Sequence, residues 1–342
     1  FALAACGTTD ADDVTSKSSA KAPPASKSCA DDTTATSTKP VSLTDGVGRQ
    51  VKLDKPAKRI AVLEWQQVED ALTLCVTPPP PSPTRRGYST WVSAEKLPGG
   101  VTDIGTREEP DLDTLYAAKP DLVVVEAFDA KDEMIKKLEK RGVPPVLATR
   151  GANPKDPIGN MRQVFSMIGQ ATGRTERADQ VLKEFDAHLA KAKQQVTDAT
   201  CRRRTSCSST AGWRATTSPS APYSDGALFT ELGKELGLKP RGPAASTRST
   251  ATAGRPRLRT RADGRRGLVA VGDANLFYAN DEGAGGYVAA IRKNPIWKKL
   301  PAVKEGRAHA FPARVWGAGG PPAPTSRRST PTSTYSTRSE RR

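Results

Sequence analysis

Arg107 is the side chain whose type and position most clearly suggest a binding site. It lies in the segment from Val101 to Glu126, VTDIGTREEPDLDTLYAAKPDLVVVE. Pro110 suits the first position of a short amphipathic helix that ends before Pro120. The apolar run that follows, 122–125, predicts a strand buried on both faces. Arg107 is therefore expected in a loop that leads into a helix of an α/β unit.

Loops of this kind surround the ligand crevice of open α/β sheets, at the carboxyl ends of the strands. A guanidinium in such a loop presents planar N–H donors to an oxygen-rich anion. The alternative is an exposed arginine that pairs with Glu108 or Glu109. The local sequence favours neither interpretation over the other.

Catalytic chemistry has little support in the sequence. The two histidines, His188 and His309, are far apart, and no GxSxG, HExxH or cysteine–histidine motif is present. The glycines of 283–286 do not complete a phosphate-binding motif. We therefore predict a protein that is not an enzyme and that needs no cofactor and no metal ligands of its own.

The net charge of +16 is concentrated in four stretches that contain arginine but no lysine. They hold 19 arginines against Asp263 and Glu340, so the rest of the chain carries a charge of −1. These stretches are rich in Ala, Pro, Ser and Thr and interrupt otherwise periodic sequence. They are residues 75–86, 201–222, 240–266 and 321–342.

We hypothesise that these stretches are coding DNA read in the wrong frame; native disordered linkers are the alternative. In either case the basic charge is weak support for nucleic-acid binding, because very few aromatic residues are interleaved to stack on bases. We predict no nucleic-acid partner. A basic surface protein that binds nucleic acid is kept as the alternative from a different functional class.

The N-terminus resembles the end of a bacterial lipoprotein signal segment. Residues Leu3 to Cys6 match a lipobox, so we predict that 1–6 end the signal segment and that Cys6 carries a lipid. Residues 7–40 are polar and predict a flexible tether; an ordinary disordered N-terminus is the alternative. No later apolar run approaches the roughly 20 residues of a membrane span. This predicts a protein anchored at the outer face of the cytoplasmic membrane.

Residues 41–155 are predicted to form the first α/β lobe. A hairpin turned around Asp45 and Gly46 precedes alternating strands and helices, which is typical of a parallel sheet with crossover helices. The predicted strands are 59–63, 122–125 and 143–147, and the predicted helices are 66–74, 110–119 and 131–141.

Two helices, 157–170 and 175–196, form a predicted linker over 156–197, and the second is long enough to cross between two domains. A second α/β lobe is predicted over 198–320, in which 201–222 and 240–266 are unreliable, followed by an aberrant tail over 321–342. The predicted elements of the second lobe are a helix over 224–238, a strand over 268–271, a short helix over 287–292, an NPIW turn over 294–297 and a strand through His309 and Phe311. The pattern thus predicts the α/β fold class, with two α/β lobes and a linking helix.

Aromatic residues accompany the predicted loops. Trp65 lies where a strand ends and a helix begins, so it packs in the core or forms the wall of a crevice. Tyr88 and Trp91 lie in a loop that leads to the Arg107 segment. Trp316 lies in a glycine-rich loop after the last strand, a position better suited to binding than to the core.

The segments of the two predicted lobes and of the linker, taken in chain order, resemble the substrate-binding lipoproteins of ABC iron importers, specifically the ferric-hydroxamate-siderophore group. The resemblance covers most of 41–200, then 223–239 and 268–320. Its most specific part is GTREEPDLDTLYAAKPDLVV, which contains the Arg-x-Glu-Pro-Asn/Asp-Leu motif of the family. The family's second-lobe wall and last helix cannot be aligned in 240–266 and 321–342.

The resemblance implies two Rossmann-like lobes joined by one long helix, with a shallow cleft between them and little hinge closure. Arg107 matches the arginine that binds the oxygens around the ferric centre, and Trp91 matches a tryptophan that lines the cleft. Trp65 aligns with a family tryptophan, and Trp316 matches a cleft aromatic less closely. Phe128 lies near a position where some relatives place a tyrosine. Tyr88 completes the predicted ligand-binding residues.

The implied function is capture of a ferric siderophore of hydroxamate type and its delivery to an ABC permease, by a monomer. The iron arrives already chelated, so the protein needs no ligands to it. Glu69 and Glu231 are candidate contacts with arginines of the permease. The alternative is the same scaffold with another cargo: a catecholate siderophore, haem or a corrinoid.

Overall fold

The computed structural model describes most of the first lobe, the linking helices and part of the second lobe. The described residues are 29–76, 81–82, 88–89, 92, 94–98, 101–106, 109–142, 144–200, 208–213, 226, 228–240, 275–280 and 292–312.

The first lobe begins with an antiparallel hairpin and continues into a parallel sheet. Strands β1 (Val41–Thr44) and β2 (Gln50–Leu53) pair around a loop in which the Asp45 carboxylate accepts hydrogen bonds from the backbone N–H groups of Val47 and Arg49. This confirms the predicted hairpin. The sheet has the order β3-β6-β7, and a parallel pair, β4-β5, lies beside it. These strands are β3 (Ile60–Val62), β4 (Pro81–Ser82), β5 (Thr102–Asp103), β6 (Leu122–Ala127) and β7 (Val146–Arg150).

Three helices connect these strands: α1 (Trp65–Thr73), α2 (Leu112–Ala117) and α3 (Glu133–Glu139). The start of α2 differs from the prediction. Asp111 caps the helix by accepting hydrogen bonds from the N–H groups of Asp113 and Thr114, so Pro110 precedes the helix instead of opening it.

Alternate residues of the sheet pack into two separate hydrophobic layers. Ile60, Leu122 and Leu147 belong to the layer that includes α1 and the first linking helix. Their neighbours Ala61 and Val123 belong to the layer that includes α2 and α3. Because side chains alternate along a strand, both faces of the sheet are covered, as the continuous apolar run 122–125 predicts.

Two long helices follow, α4 (Pro157–Ala171) and α5 (Thr175–Thr200). Both were predicted, but α5 extends four residues further than expected and contains 26 residues. At 1.5 Å per residue its length is about 39 Å. Within the described part of the chain, no helix combines the length and apolar character needed to cross a membrane.

The described part of the second lobe contains a parallel four-stranded sheet of order β11-β10-β8-β9. Strand β8 lies inside the arginine-rich stretch 201–222, and β10 was not predicted. The elements are β8 (Ser208–Trp213), α6 (Leu228–Glu235), β9 (Lys239–Pro240), β10 (Asn275–Asn280), α7 (Pro295–Lys299), α8 (Pro301–Lys304) and β11 (Ala308–Pro312).

The predicted NPIW turn is wrong, because these residues begin α7. The Asn294 side chain accepts a hydrogen bond from Trp297 N, 3.3 Å away, and Pro295 occupies the first helical position. The strand predicted through His309 and Phe311 is confirmed as β11. The predicted strand 268–271 lies outside the described residues, as does most of the helix predicted over 287–292.

The prediction of a flexible tether is wrong for residues 29–40, which are fixed against the first lobe. Cys29 forms a disulfide with Cys75, directly after α1. Ser37 N donates to Gly173 O at 2.8 Å, in the turn between α4 and α5. The Arg174 side chain binds several groups of the same segment. Residues 1–28, with the predicted lipidation site Cys6, lie outside the described part.

Candidate functional site

The carboxyl ends of β3, β6 and β7 bring together several residues that the sequence places in separate segments. We call this region the rim; its described residues are Trp65, Phe128, Arg150 and Gly151. The strand pairs Val62–Val124 and Ala127–Arg150 place these ends side by side. Gly151 N donates to Ala127 O at 2.9 Å, which continues the ladder past β7.

Phe128 is the exposed apolar side chain of the rim. Its solvent-exposed fraction is 39%, the highest among the large hydrophobic residues in the described part of the chain. Its ring lies against Gly151, where an added Cβ would come within 2.7 Å of the ring carbons. The glycine therefore allows the ring to lie close to the backbone directly after β7. An apolar ring held at the surface in this way is suited to contact a ligand.

The loop after β7 joins the rim to the second lobe. Asn160, in the first turn of α4, donates its side-chain N–H groups to the carbonyl oxygens of Arg150 and Gly151, at 3.4 and 3.3 Å. Further along this loop, a methyl group at Gly226 would overlap the carbonyl oxygen of Pro154. The second lobe thus approaches the first beside the rim, so a ligand held there lies near both lobes.

The segment that carries Arg107 is anchored on both sides. Gly105 and Pro110 form an antiparallel bridge, and Asp111 N donates to Ile104 O at 2.7 Å. Strand β5 runs parallel to β4 and ends at Asp103. The segment that carries Arg107 therefore begins at the carboxyl end of β5. Arg107 itself lies outside the described residues. Its role in binding stays a prediction.

Trp65 lies at the base of the rim as the first residue of α1. Its backbone N–H donates to the carboxylate of Glu64 at 2.8 Å, and its partly buried ring packs against the first hydrophobic layer. Gln67, on the same helix, donates to the hydroxyl of Thr149 on β7 at 2.9 Å. This bond holds the start of α1 against the carboxyl end of the sheet. Trp65 therefore packs against the core from a position at the carboxyl ends of the strands, and its contact with a ligand stays a prediction.

Tyr88 was predicted to bind ligand, but the structure places it in the core. Its side chain is 0% exposed, and its hydroxyl donates to the carbonyl oxygen of Glu95 at 3.0 Å. Burial, together with the nearby charges of Glu69, Glu95 and Asp70, raises the pKa of this phenol far above its ordinary range. Tyr88 therefore supports the loop from inside and does not face a ligand.

Glu69 was proposed as a permease contact, but it is only 3% exposed within α1. An enclosed carboxylate cannot meet an arginine of another protein without rearrangement, so this assignment is wrong for the structure described. Glu231 is more accessible, with 23% of its side chain exposed. It accepts hydrogen bonds from Gly226 N at 2.9 Å and from Lys234 Nζ at 2.8 Å, and so stabilises the start of α6.

Three of the predicted ligand-binding residues, Arg107, Trp91 and Trp316, fall outside the described part of the chain. Arg150 is a rim residue that the sequence analysis did not single out, and it is exposed at the end of β7. Its position three residues after the predicted strand 143–147 was the available signal. In the described residues, no group of three or more His, Cys, Asp or Glu side chains is arranged to hold a metal ion.

Comparison with known proteins identifies the family of this chain. Residues 60–315 match the profile of the family described as periplasmic binding protein. This match covers most of the chain. The chain belongs to the periplasmic binding protein family. The family consists of substrate-binding proteins, and its two-lobed α/β fold agrees with the two parallel sheets and the long helix of this chain.

Two related sequences extend this comparison. The iron(3+)-hydroxamate-binding protein FhuD of Escherichia coli K12 is 28% identical over 136 residues, which are 40% of this chain and 44% of FhuD. This chain thus spans less than half the length of that relative. YhfQ of Bacillus subtilis 168, a candidate ABC transporter substrate-binding lipoprotein, is 23% identical over 281 residues, covering 81% of this chain and 82% of YhfQ.

Solved structures of siderophore-binding proteins share the fold. FhuD from Vibrio cholerae, bound to Fe3+–Desferal, superposes with a TM-score of 0.61 at 21% identity, covering 78% of this chain and 93% of that one. FeuA from Bacillus subtilis, a triscatecholate siderophore-binding protein complexed with ferri-bacillibactin, gives 0.59 at 18% identity, covering 83% and 93%. The same fold therefore holds Fe3+–Desferal in one of these proteins and ferri-bacillibactin in the other.

Proposed function

We propose that this protein captures a ferric siderophore of hydroxamate type at the rim and delivers it to an ABC permease for iron uptake. One observation carries the proposal: the segment that contains Arg107 leaves the carboxyl end of β5, while Phe128 is exposed at the carboxyl end of β6, beside the second lobe. The 28% identity to a hydroxamate-binding protein supports this choice of cargo.

The chemistry of a ferric hydroxamate fits these residues. The chelator already fills the coordination sphere of the iron, so the protein needs to recognise only the outside of the complex. That surface combines partly charged hydroxamate oxygens with aliphatic arms. Arg107 would donate charge-assisted hydrogen bonds to the oxygens, with Arg150 as a second cation on the rim. Phe128 and the edge of Trp65 would cover the aliphatic arms, and Trp91 and Trp316 would extend this apolar wall.

We propose further that the protein is a monomeric lipoprotein, attached through Cys6 to the outer face of the cytoplasmic membrane. The disulfide between Cys29 and Cys75 supports an oxidising compartment outside the cytoplasm. Similarity to a candidate lipoprotein of an ABC transporter over most of the chain supports the membrane attachment and the permease partner. Glu231 is the remaining acidic candidate for permease contact. The protein binds its cargo without chemical conversion and has no cofactor.

Titration of the protein with a panel of cargoes tests this function. Tryptophan fluorescence is followed while Fe3+–Desferal, ferri-bacillibactin, haem or a corrinoid is added, with iron-free Desferal as the control. We expect saturable quenching at the lowest concentration with Fe3+–Desferal and none with the iron-free chelator. Tighter binding of ferri-bacillibactin, haem or a corrinoid would contradict the proposed substrate. It would leave the assignment as a substrate-binding protein unchanged.

A further inference from the structure

The first lobe has a second charged surface, at the end opposite the rim. Strands β3, β6 and β7 begin at Ile60, Leu122 and Val146, and their pairing places these starts side by side. We call the segments that precede them, 54–59, 119–121 and 140–145, the basic face. Asp121 joins the first two segments: its carboxylate accepts from the N–H groups of Lys58 and Arg59, at 3.0 and 2.8 Å.

Positive charge dominates this face. Six exposed cations oppose two carboxylates within these segments, Asp54 and Asp121, and that of Asp121 already accepts two backbone hydrogen bonds. Of the six cations, Arg141 pairs with the neighbouring carboxylate of Asp113, and the neighbouring Glu139 pairs with Arg49. Outside the arginine-rich stretches the chain is close to neutral, so this is a local concentration of charge. The cations are Lys55, Lys58, Arg59, Lys119, Lys140 and Arg141.

The N-terminal segment is fixed at the same end of the lobe. Helix α1 begins at the rim and runs towards the opposite end of the lobe, where the strands begin. Cys75 follows the end of α1, so its disulfide with Cys29 lies at the same end as the strand starts. Ala57 N, just before β3, donates to Ala171 O at 2.8 Å. Ser37 N binds the adjacent Gly173 O, also at 2.8 Å. The chain before residue 29 therefore joins the lobe beside the basic face and away from the rim.

We propose that the basic face docks on a membrane surface that contains anionic lipids, through their headgroup phosphates. In that orientation the rim points away from the bilayer, where it can receive a ligand from the medium. Each lysine or arginine close to such a surface strengthens binding by roughly five-fold, and added salt weakens the attraction. The docking is separate from ligand capture and does not require lipidation.

Matched variants of the full chain, produced without lipid, test this proposal. In the first variant Lys55, Lys58, Lys119 and Lys140 are all changed to Gln. In the control, four exposed lysines elsewhere are changed to Gln: Lys155, Lys183, Lys191 and Lys193. Both variants keep every arginine-rich stretch and lose the same charge, and circular dichroism verifies that each has folded.

Co-sedimentation with phosphatidylcholine vesicles, with and without phosphatidylglycerol, measures the binding. We expect the basic-face variant to lose about ten-fold or more of its partitioning onto the anionic vesicles at low salt, and the control about two-fold or less. An equal loss in both variants would overturn the proposal, because the attraction would then depend only on total charge.

Hydrogen–deuterium exchange locates the contact on the same full chain. We expect phosphatidylglycerol vesicles to slow exchange in 54–59, 119–121 and 140–145, with no effect in 183–193. Protection confined to 201–222, 240–266 or 321–342 would assign the membrane contact to the arginine-rich stretches and overturn the proposal. The same protection by inorganic phosphate alone would also overturn it, because it would identify a site for a free anion.

Discussion

Arg174 and Asp32 form a buried ion pair that joins residues 142 positions apart in the sequence. Their side chains are only 7% and 10% exposed. The same guanidinium donates to Leu74 O at 2.9 Å, to Thr34 O at 3.0 Å and to Thr36 Oγ1 at 2.9 Å. One side chain thus connects the N-terminal segment, the end of α1 and the start of α5.

Replacing Arg174 by Ala should destabilise the protein strongly, because the buried Asp32 carboxylate would lose its counter-ion and two carbonyl groups would lose a donor. We expect a loss of about 3 kcal/mol or more in the free energy of unfolding, measured by urea denaturation. Arg162→Ala is the matched control, since Arg162 pairs with Asp186 on the surface; it should cost below about 1 kcal/mol. Similar losses in the two variants would show that the buried pair has no special role.

The disulfide between Cys29 and Cys75 should contribute separately to stability. It closes a loop with a sequence separation of 46. For a loop of this length, the restriction of the unfolded chain predicts a stabilisation of about 4 kcal/mol. We expect reductant to lower the melting temperature of the native protein. A Cys29→Ser/Cys75→Ser variant should melt at that lower temperature with or without reductant. A melting temperature of the native protein that does not respond to reductant would contradict this prediction.

Asp70 should destabilise the folded state at neutral pH. It is fully buried, and neither carboxylate oxygen has a hydrogen-bond partner in the described part of the chain. Burial, and then the charge of Glu69, raise the pKa of Asp70 well above its ordinary value. The folded state therefore binds more protons than the unfolded state, and the free energy of unfolding decreases as pH rises above about 4.

Asp70→Asn removes this ionisation at almost constant size. We expect the variant to melt at a higher temperature than the native protein at pH 7. The difference should narrow as the pH falls and level off below about 4, where the Asp70 carboxyl is protonated in both the folded and the unfolded state. Melting curves across this pH range measure the effect. A variant that is less stable at every pH would show that the Asp70 carboxylate has a stabilising partner.

Tyr88 and Phe128 were both predicted to bind ligand, and the structure separates their roles. Tyr88→Phe removes a buried hydrogen bond and should cost about 1 kcal/mol of stability without changing ligand affinity. Phe128→Ala removes an exposed ring, so it should weaken Fe3+–Desferal binding several-fold and leave the melting temperature nearly unchanged. Denaturation and fluorescence titration of both variants measure these effects. The reverse pattern would contradict both assignments.

Hydrophobic periodicity predicted the three-stranded sheet of the first lobe and the helices around it, but not the strand pair β4-β5. The run 122–125 specifies a strand covered on both faces, and the helical spacing in 157–170 and 175–196 predicts the two long helices. The first residue of a helix was less predictable where a capping Asp or Asn side chain lies next to a proline. Asp111 delays α2 past Pro110, and Asn294 begins a helix where the NPIW sequence suggested a turn.

The individual site residues were harder to predict because their burial depends on distant contacts. The hydroxyl of Tyr88 finds a carbonyl partner inside its own loop, and Glu69 lies on the enclosed side of α1, so both turn inward. The order of residues 29–40 follows from Arg174 and Cys75, whose pairing with distant residues no local pattern reveals. Cys75 is also the first residue of the arginine-rich stretch 75–86. Reading the coding DNA in all three frames across the four stretches would test the frame hypothesis.

The most direct test of the proposed function is the affinity for Fe3+–Desferal of the native protein, of Arg107→Ala and of Arg141→Ala. Arg141 lies on the basic face, so its variant controls for the loss of one positive charge away from the rim. Loss of the charge-assisted hydrogen bonds should weaken binding about ten-fold or more in Arg107→Ala, and binding to Arg141→Ala should match the native protein. Equal affinities for all three proteins would contradict the assignment of Arg107 to the binding site.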